Sequence, residues 1–339
     1  MLRAPLLTAA GRPGAARLRV GFRPPAGRAA LIPALGLGLL AALLFSTTFV
    51  ANRSIHLGGG AWEWTASLRY LMMLPLLAVV VAWRGGLAPV AAALRAQPRA
   101  WLGWSTIGFG LFYAPMAFAV TAGPAWLLAG TWQITIVAGL LLAPLLYRDE
   151  RAVVPRRALA AALVVLAGVA LIQAVHAASV GPHALLAGVL PVVVAAFAYP
   201  AGNRRTMELA GGGLDTWQRI LAMTVASLPF WLALALAGLL RSGVPGEAQL
   251  AQSALVAVAG GILATTLFFA ATDRVRRHPA RLAAVEATQS GEVVFAAGLE
   301  ALVLGGALPS PLAWAGVALI VGGIGAHVVA DRRGWAAIP

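Results

Sequence analysis

The sequence predicts an all-α polytopic membrane protein, ten transmembrane helices arranged as two inverted repeats of five. Three observations carry that expectation. The 339 residues are 60% hydrophobic and only 11% charged, with a mean hydropathy of +0.85; a soluble domain is about half apolar and a quarter charged. Apolar stretches of about 20 residues, the length of a bilayer-spanning helix, recur along the chain. Short sequence echoes also link the two halves at a nearly constant offset. A helix is the expected form because it pairs its own N–H and C=O groups where water cannot.

Taken in order, the spans fall at roughly 31–51, 62–83, 101–121, 124–146, 157–177, 183–202, 217–240, 250–271, 280–303 and 310–330. Prolines inside them (Pro75, Pro115, Pro144, Pro191, Pro200, Pro229) predict kinks whose freed carbonyls neighbouring helices can cover. The domain division that follows is a disordered cytoplasmic tail at 1–29, a first repeat at 30–178, a second at 179–331 and a C-terminal tail at 332–339. The N-terminal apolar run is too short for the core of a signal peptide. The "GGG" runs Gly58–Gly60 and Gly211–Gly213 are expected to be flexible loops between helices.

All 25 basic residues are arginine, and they give a net charge of +14. Such a charge can mark a nucleic-acid binder, but these arginines sit in short clusters between apolar runs rather than on one soluble face. Membrane topology explains them better. With a cytoplasmic N-terminus, 22 of the 25 fall on the cytoplasmic side, Arg53 and Arg241 fall outside, and Arg69 lies within a span. Arginine-rich loops stay on the inside, so both termini are expected in the cytoplasm and the chain in the plasma (inner) membrane.

The echoes are specific. "ANR" (Ala51–Arg53) is answered by "GNR" (Gly202–Arg204), and Trp64–Pro75 by Trp217–Pro229. "FY" (Phe112, Tyr113) is answered by "FF" (Phe268, Phe269), and "TWQ" ending at Gln133 by "ATQ" ending at Gln289. "VVLAG" ending at Gly168 is answered by "LIVGG" ending at Gly323. Five helices is an odd number, so a second set enters from the opposite side of the membrane, the inverted-repeat plan of many secondary transporters.

Other function classes are excluded by missing residues. Without cysteine there is no disulfide and no thiol chemistry. Without lysine there is no Walker-type phosphate loop and so no ATP motor of that type. There is no HExxH, and the five histidines lie mostly at span ends; no metal or other cofactor is expected. A membrane-embedded enzyme acting on lipid-like substrates would need a polar catalytic cluster at a membrane face. A scaffold or sensor would need a soluble domain. Neither is visible.

Four stretches, "FSTTFVANRS", "GGGAWEWTASLRYLMMLP", "GTWQITIVAGLLLAPLL" and "EATQSGEVVF", occur in the order in which they carry a family likeness. The chain resembles the drug/metabolite transporter superfamily (EamA-like, ten helices), and within it the multidrug-resistance efflux branch, over roughly residues 31–330. That resemblance implies a plasma-membrane exporter of small molecules, an antiporter driven by a gradient. The four-helix small multidrug transporters of the superfamily use a glutamate in their first helix. Span 1 here, "LIPALGLGLLAALLFSTTFVA", has no carboxylate, so carboxylate chemistry must sit elsewhere and drug-cation specificity does not carry over.

Span 9, "RLAAVEATQSGEVVFAAGLEAL", is where it can sit. On a continuous α-helix, Glu286, Gln289, Glu292 and Glu300 would share about one third of the circumference, with Glu292 near the midplane, Glu286 roughly 9 Å toward the cytoplasm and Glu300 roughly 12 Å toward the outside. A central carboxylate costs about 3 kcal/mol to insert, so such groups usually face a cavity or a partner. Glu292, with Glu286 as its nearest rival, is the candidate for proton coupling and for holding a cationic substrate group. The alternative is a fixed hydrogen bond or an ion pair with Arg69 or Arg219; Glu300 could simply pair with Arg69.

Gln133 and Gln289, matched in the two halves, are the candidates for orienting substrate, or else they hold helices together. Trp132, beside Gln133, joins the candidate site. Phe112, Tyr113, Phe268 and Phe269 could line an aromatic wall or simply pack. Arg69, the one deeply placed cation, could meet an anionic substrate group or a structural partner. Trp62, Glu63 and Trp64 read as an interfacial anchor. The expected partners are a small-molecule substrate and the lipid bilayer, not nucleic acid. Small-residue spacing in "GVALIVGGIG" serves either internal packing or a dimer face, so monomer and homodimer both remain open.

Overall fold

The computed structural model describes residues 28–148, 152–154, 156–177, 182–275 and 279–335. Residues 1–27 of the expected N-terminal tail, 336–339 of the C-terminal one, and Arg151, Arg276, Arg277 and His278 lie outside them. Every regular element among the described residues is helical. Seven helices among the described residues are long and apolar enough to cross a membrane, and a bent pair, taken as one span, makes an eighth.

The chain opens with α1 (Arg28–Leu57) and α2 (Trp62–Trp83). Between them the glycine run, expected as a flexible loop, makes a tight turn with Gly59 at φ 82°. A short α3 (Leu87–Ala96) follows where a plain loop was expected. The next span, Pro98–Ala122, is made of α4 (Pro98–Ser105), a π-helical turn (Thr106–Gly110), α5 (Leu111–Ala119) and a terminal 3₁₀ turn. The span Ala125–Leu146 divides at Gln133 into α6 (Ala125–Trp132) and α7 (Ile134–Leu146). α8 (Arg156–Ala177) closes this half.

The second half begins with α9 (Pro182–Ala210) and a second glycine turn, in which Gly211 and Gly212 have positive φ. α10 (Thr216–Ala226) starts on a capping box. Asp215 Oδ1 accepts from the Gln218 amide over 2.9 Å, and Gln218 Oε1 accepts from the Asp215 amide over 2.8 Å, so two N-terminal amides of the helix are satisfied at once. The chain bends by 50° between α10 and α11 (Leu228–Ser242). Pro229 explains the bend, since it lacks an N–H and its ring displaces the preceding turn. The Ser227 hydroxyl donates to the Met223 carbonyl there over 2.8 Å.

Two further interrupted segments follow. In Glu247–Val275, α12 (Glu247–Val256) and α13 (Thr265–Val275) flank a π-helical stretch, Ala257–Ala264. Then α14 (Pro279–Glu286), a 3₁₀ turn (Ala287–Ser290) and α15 (Gly291–Leu304) run in series. Gly305, at φ 62°, ends α15 in the left-handed conformation. α16 (Pro311–Trp335) is the last helix and extends past the expected tail boundary at residue 332.

Packing crosses between the halves. α1 lies against α13 and α15, while α9 lies against α5, α6 and α7. α2 packs on α10 and α11, and α8 on α16. Small residues allow the closest approaches. A Cβ on Gly168 of α8 would fall 2.6 Å from the Gly316 carbonyl of α16, and one on Gly202 of α9 would fall 2.2 Å from the Gly108 Cα. "GVALIVGGIG" therefore serves an internal α8–α16 contact. The outer surface carries exposed leucines such as Leu39, Leu141, Leu163, Leu190 and Leu236, an exterior suited to lipid.

Two ion pairs tie α2 to the second half. Glu63 is buried at the start of α2 and pairs with Arg241 at the end of α11 over 3.3 Å. Arg84, just past the other end of α2, pairs with Asp215 over 3.2 Å. Trp64 Nε1 donates to the Gly243 carbonyl over 2.8 Å. Glu63 and Trp64, expected to anchor the chain at the membrane boundary, thus make specific contacts to α11 and the residue that ends it.

Candidate functional site

The irregular turns bring the matched glutamines together. Gln133 sits at the α6–α7 break and Gln289 within the 3₁₀ turn before α15. Gln133 Nε2 donates to the Ala129 carbonyl over 3.1 Å and to the Gln289 carbonyl over 3.2 Å. With two carbonyls fixing the amide nitrogen, Gln133 Oε1 points the other way, buried and without a hydrogen-bond partner. Gln289 Nε2 reaches the Gly38 carbonyl of α1 at 3.5 Å. Both glutamines therefore hold helices together, and Gln133 keeps a free acceptor as well.

The 3₁₀ turn also redistributes the acids of span 9. A 3₁₀ turn advances about 120° per residue rather than 100°, so the single stripe expected for a continuous helix is broken. Glu286 ends α14 exposed, while Gln289, Glu292 and Glu300 are buried. Glu300 does not pair with Arg69 as one reading had it. Its Oε2 lies 3.4 Å from the amide nitrogen of Trp126, in the first turn of α6, where exposed N–H groups and the helix dipole favour an anion. Glu300 and Trp126 also border a cavity of about 360 Å³, with Arg53 and His176 on the same wall.

Glu292, 2% exposed, stands apart. Three glutamates are buried among the described residues: Glu63, Glu292 and Glu300. Glu63 has Arg241 and Glu300 has the Trp126 amide. Glu292 has no hydrogen bond or ion pair with any described residue, including Arg69 and Arg219, the two partners the sequence offered it.

Aromatic rings and arginines make up the surroundings. Phe112 of α5, Trp132 of α6 and Tyr199 of α9 form a mutual cluster with centroids 4.9 to 5.6 Å apart. The guanidinium of Arg69 lies over the Tyr113 ring, 4.2 Å from its centroid, and that of Arg219 lies over the Phe269 ring, also at 4.2 Å. Each half thus supplies one arginine stacked on the aromatic residue that the sequence echo matches. Asn52 Nδ2 donates to the Tyr113 hydroxyl over 2.9 Å and fixes that ring. Tyr70 stacks on Trp231 with centroids 4.2 Å apart.

The expected site residues Gln133, Trp132, Tyr113, Phe269, Arg69, Gln289 and Glu292 are all buried; Glu286 is exposed. Sequence reading missed Tyr199, Asn52, Tyr70 and Trp231. Asn52 and Asn203 stood inside the "ANR"/"GNR" echo and were the available signal, whereas Tyr199 had only its position before Pro200. Among the described residues no group of three or more His, Cys, Asp or Glu side chains is placed to hold a metal ion.

Comparisons with known proteins agree with this architecture. The family model described as "Putative multidrug resistance efflux transporter" (EmrE) matches residues 32–333. The chain is 51% identical over 308 residues to an uncharacterized protein of Bacillus subtilis (strain 168), YjlA, covering 88% of this chain and 95% of that one. It is 48% identical over 271 residues to an uncharacterized 42.1 kDa protein of Shouchella clausii, covering 78% of this chain and 71% of the relative. A solved crystal structure shares the fold, with a TM-score of 0.63 at 19% identity over 88% of this chain and 97% of that one. The chain belongs to the EmrE-like multidrug-resistance efflux transporter family of the drug/metabolite transporter superfamily.

Proposed function

We propose that the protein exports small molecules by secondary active transport, taking protons inward as substrate leaves, with Glu292 as the coupling carboxylate. The observation that carries this reading is the state of Glu292: it is buried in α15, one turn along the chain from Gln289, and alone among the buried glutamates it has no hydrogen bond or ion pair among the described residues. A carboxylate locked into a pair is held in one charge state. One without a fixed partner is available to a proton or to a cationic group of the substrate in turn.

A ten-helix, inverted-repeat plan would provide for alternating access. The π-helical stretches of Thr106–Gly110 and Ala257–Ala264 fall in spans that the repeat would match. The breaks at Gln133 and at Ala287–Ser290 do so as well, as do the two arginine–aromatic stacks. Discontinuous helices meeting at a repeat interface are where transporter sites are built. Rocking of one repeat against the other would open the Glu292 cluster first to one side and then to the other. The arginine distribution supports cytoplasmic termini in the plasma membrane.

Purified protein in liposomes with an imposed pH gradient tests the proposal. Efflux of members of a compound panel that depends on the gradient supports it. Transport of no compound in the panel, with or without the gradient, speaks for a non-transporting membrane protein, and efflux that ignores the gradient contradicts proton coupling.

A further inference from the structure

Arg69 is buried in the interior of α2, and its Nε has no hydrogen-bond partner. No carboxylate pairs with it among the described residues. The Tyr113 ring covers the guanidinium at 4.2 Å, and Tyr70 lies at 5.6 Å. A ring satisfies only the face of a guanidinium, whereas its five N–H donors lie in the plane and point outward from the rim. The stack therefore positions Arg69 without satisfying its buried Nε–H.

A second orphan lies beside it. Thr48 of α1 is buried, and its Oγ1 also lacks a partner. Both groups border Gly260 in the π-helical stretch: a Cβ built there would lie 2.0 Å from Thr48 Oγ1 and 3.7 Å from Arg69 Nη1. One turn beyond Thr48, Asn52 pins the Tyr113 hydroxyl over 2.9 Å, so the ring beneath Arg69 is held from α1 as well. Three elements thus converge on two buried donors with nothing to donate to, because buried polar groups are normally paired.

We infer that Arg69 and Thr48 form an anion subsite that takes a carboxylate of the transported molecule, so that the substrate is amphoteric rather than a simple hydrophobic cation. The inference rests on the transport reading. The planar fork of arginine matches a carboxylate with two parallel hydrogen bonds, and the threonine hydroxyl adds a third donor. Glu292 supplies the opposite charge. Both are buried and no ion pair joins them among the described residues, leaving one for each end of an amphoteric guest. The basic end then occupies Glu292 in place of the proton, which keeps the proposed coupling intact.

Three aromatic probes separate the possibilities: 4-(aminomethyl)benzoate, benzylamine and benzoate. Binding is read in detergent by thermal stabilisation and by quenching of tryptophan fluorescence. Wild type should respond best to 4-(aminomethyl)benzoate. Arg69→Gln should weaken that response about tenfold or more and bring it level with benzylamine. Thr48→Val, which removes one hydroxyl and little shape, should weaken it a few-fold and carries the test if Arg69→Gln misfolds. Benzylamine favoured in wild type, an unchanged preference in a folded variant, or no response to any probe at millimolar concentration overturns the inference. The assay uses no gradient, so its failure and a failure of transport are read independently.

Discussion

Gln133 Nε2 donates to the main-chain carbonyl of Gln289, 3.2 Å away, across two interrupted helix segments and 156 residues of sequence. Each glutamine sits at the irregular point of its own segment, where the regular i→i−4 ladder leaves carbonyls available. The bond joins the two halves beside the unpaired Glu292. Replacing Gln133 with Leu removes both of its carbonyl contacts. The expected loss is about 1 kcal/mol, the size of an interhelical hydrogen bond in a membrane, seen as a lower melting temperature in detergent. Transport should fall by more than the loss of folded protein explains, because the free Oε1 goes too.

The Glu63–Arg241 and Arg84–Asp215 pairs should respond unequally. The Glu63 side chain is 6% exposed and its partner 71% exposed, whereas the Arg84–Asp215 pair is open at 56% and 43%. Arg241→Ala strands a buried carboxylate and should cost about 1–3 kcal/mol. Arg84→Ala should cost less than about 1 kcal/mol, and added salt should mask it. Melting curves of the two variants at low and high salt check the order.

The α8–α16 contact leaves no room for a methyl group at Gly168, where the obstacle is the Gly316 backbone at 2.6 Å. Gly168→Ala should destabilise by about 1–3 kcal/mol, the usual cost of overpacking. Gly322 on the same α16 has nothing within 4 Å, so Gly322→Ala should melt like wild type. Equal melting of the two variants would place the contact elsewhere.

Glu300 and Glu292 should differ in kind. Glu300 accepts from the α6 amide of Trp126, and glutamine can accept in the same way. Glu300→Gln should lower stability by about 1 kcal/mol and leave the dependence of efflux on the pH gradient unchanged. Efflux at several imposed gradients makes the comparison.

Much of this was legible in the sequence because it depends on composition and local pattern. The apolar spans, the two glycine-run connections between helices and the presence of a carboxylate near the centre of span 9 are properties of single stretches. What escaped depends on geometry that strings of residues do not carry. The shared stripe failed at Glu286 because a 3₁₀ turn changes the angular step. Glu300 found a helix N-terminus rather than Arg69, a choice set by how α6 and α15 meet. Tyr199 joins the site only because α9 packs on α5 and α6, and nothing around Tyr199 in the sequence says so.

The central claim is that Glu292 exchanges the proton, and one measurement tests it most directly. Wild type, Glu292→Gln and Glu286→Gln are reconstituted in liposomes, and efflux of a transported compound is followed with and without an imposed pH gradient. Glu292→Gln should lose the gradient dependence while remaining folded, and Glu286→Gln, whose side chain is exposed, should keep it. Gradient-driven export that survives in Glu292→Gln would contradict the account.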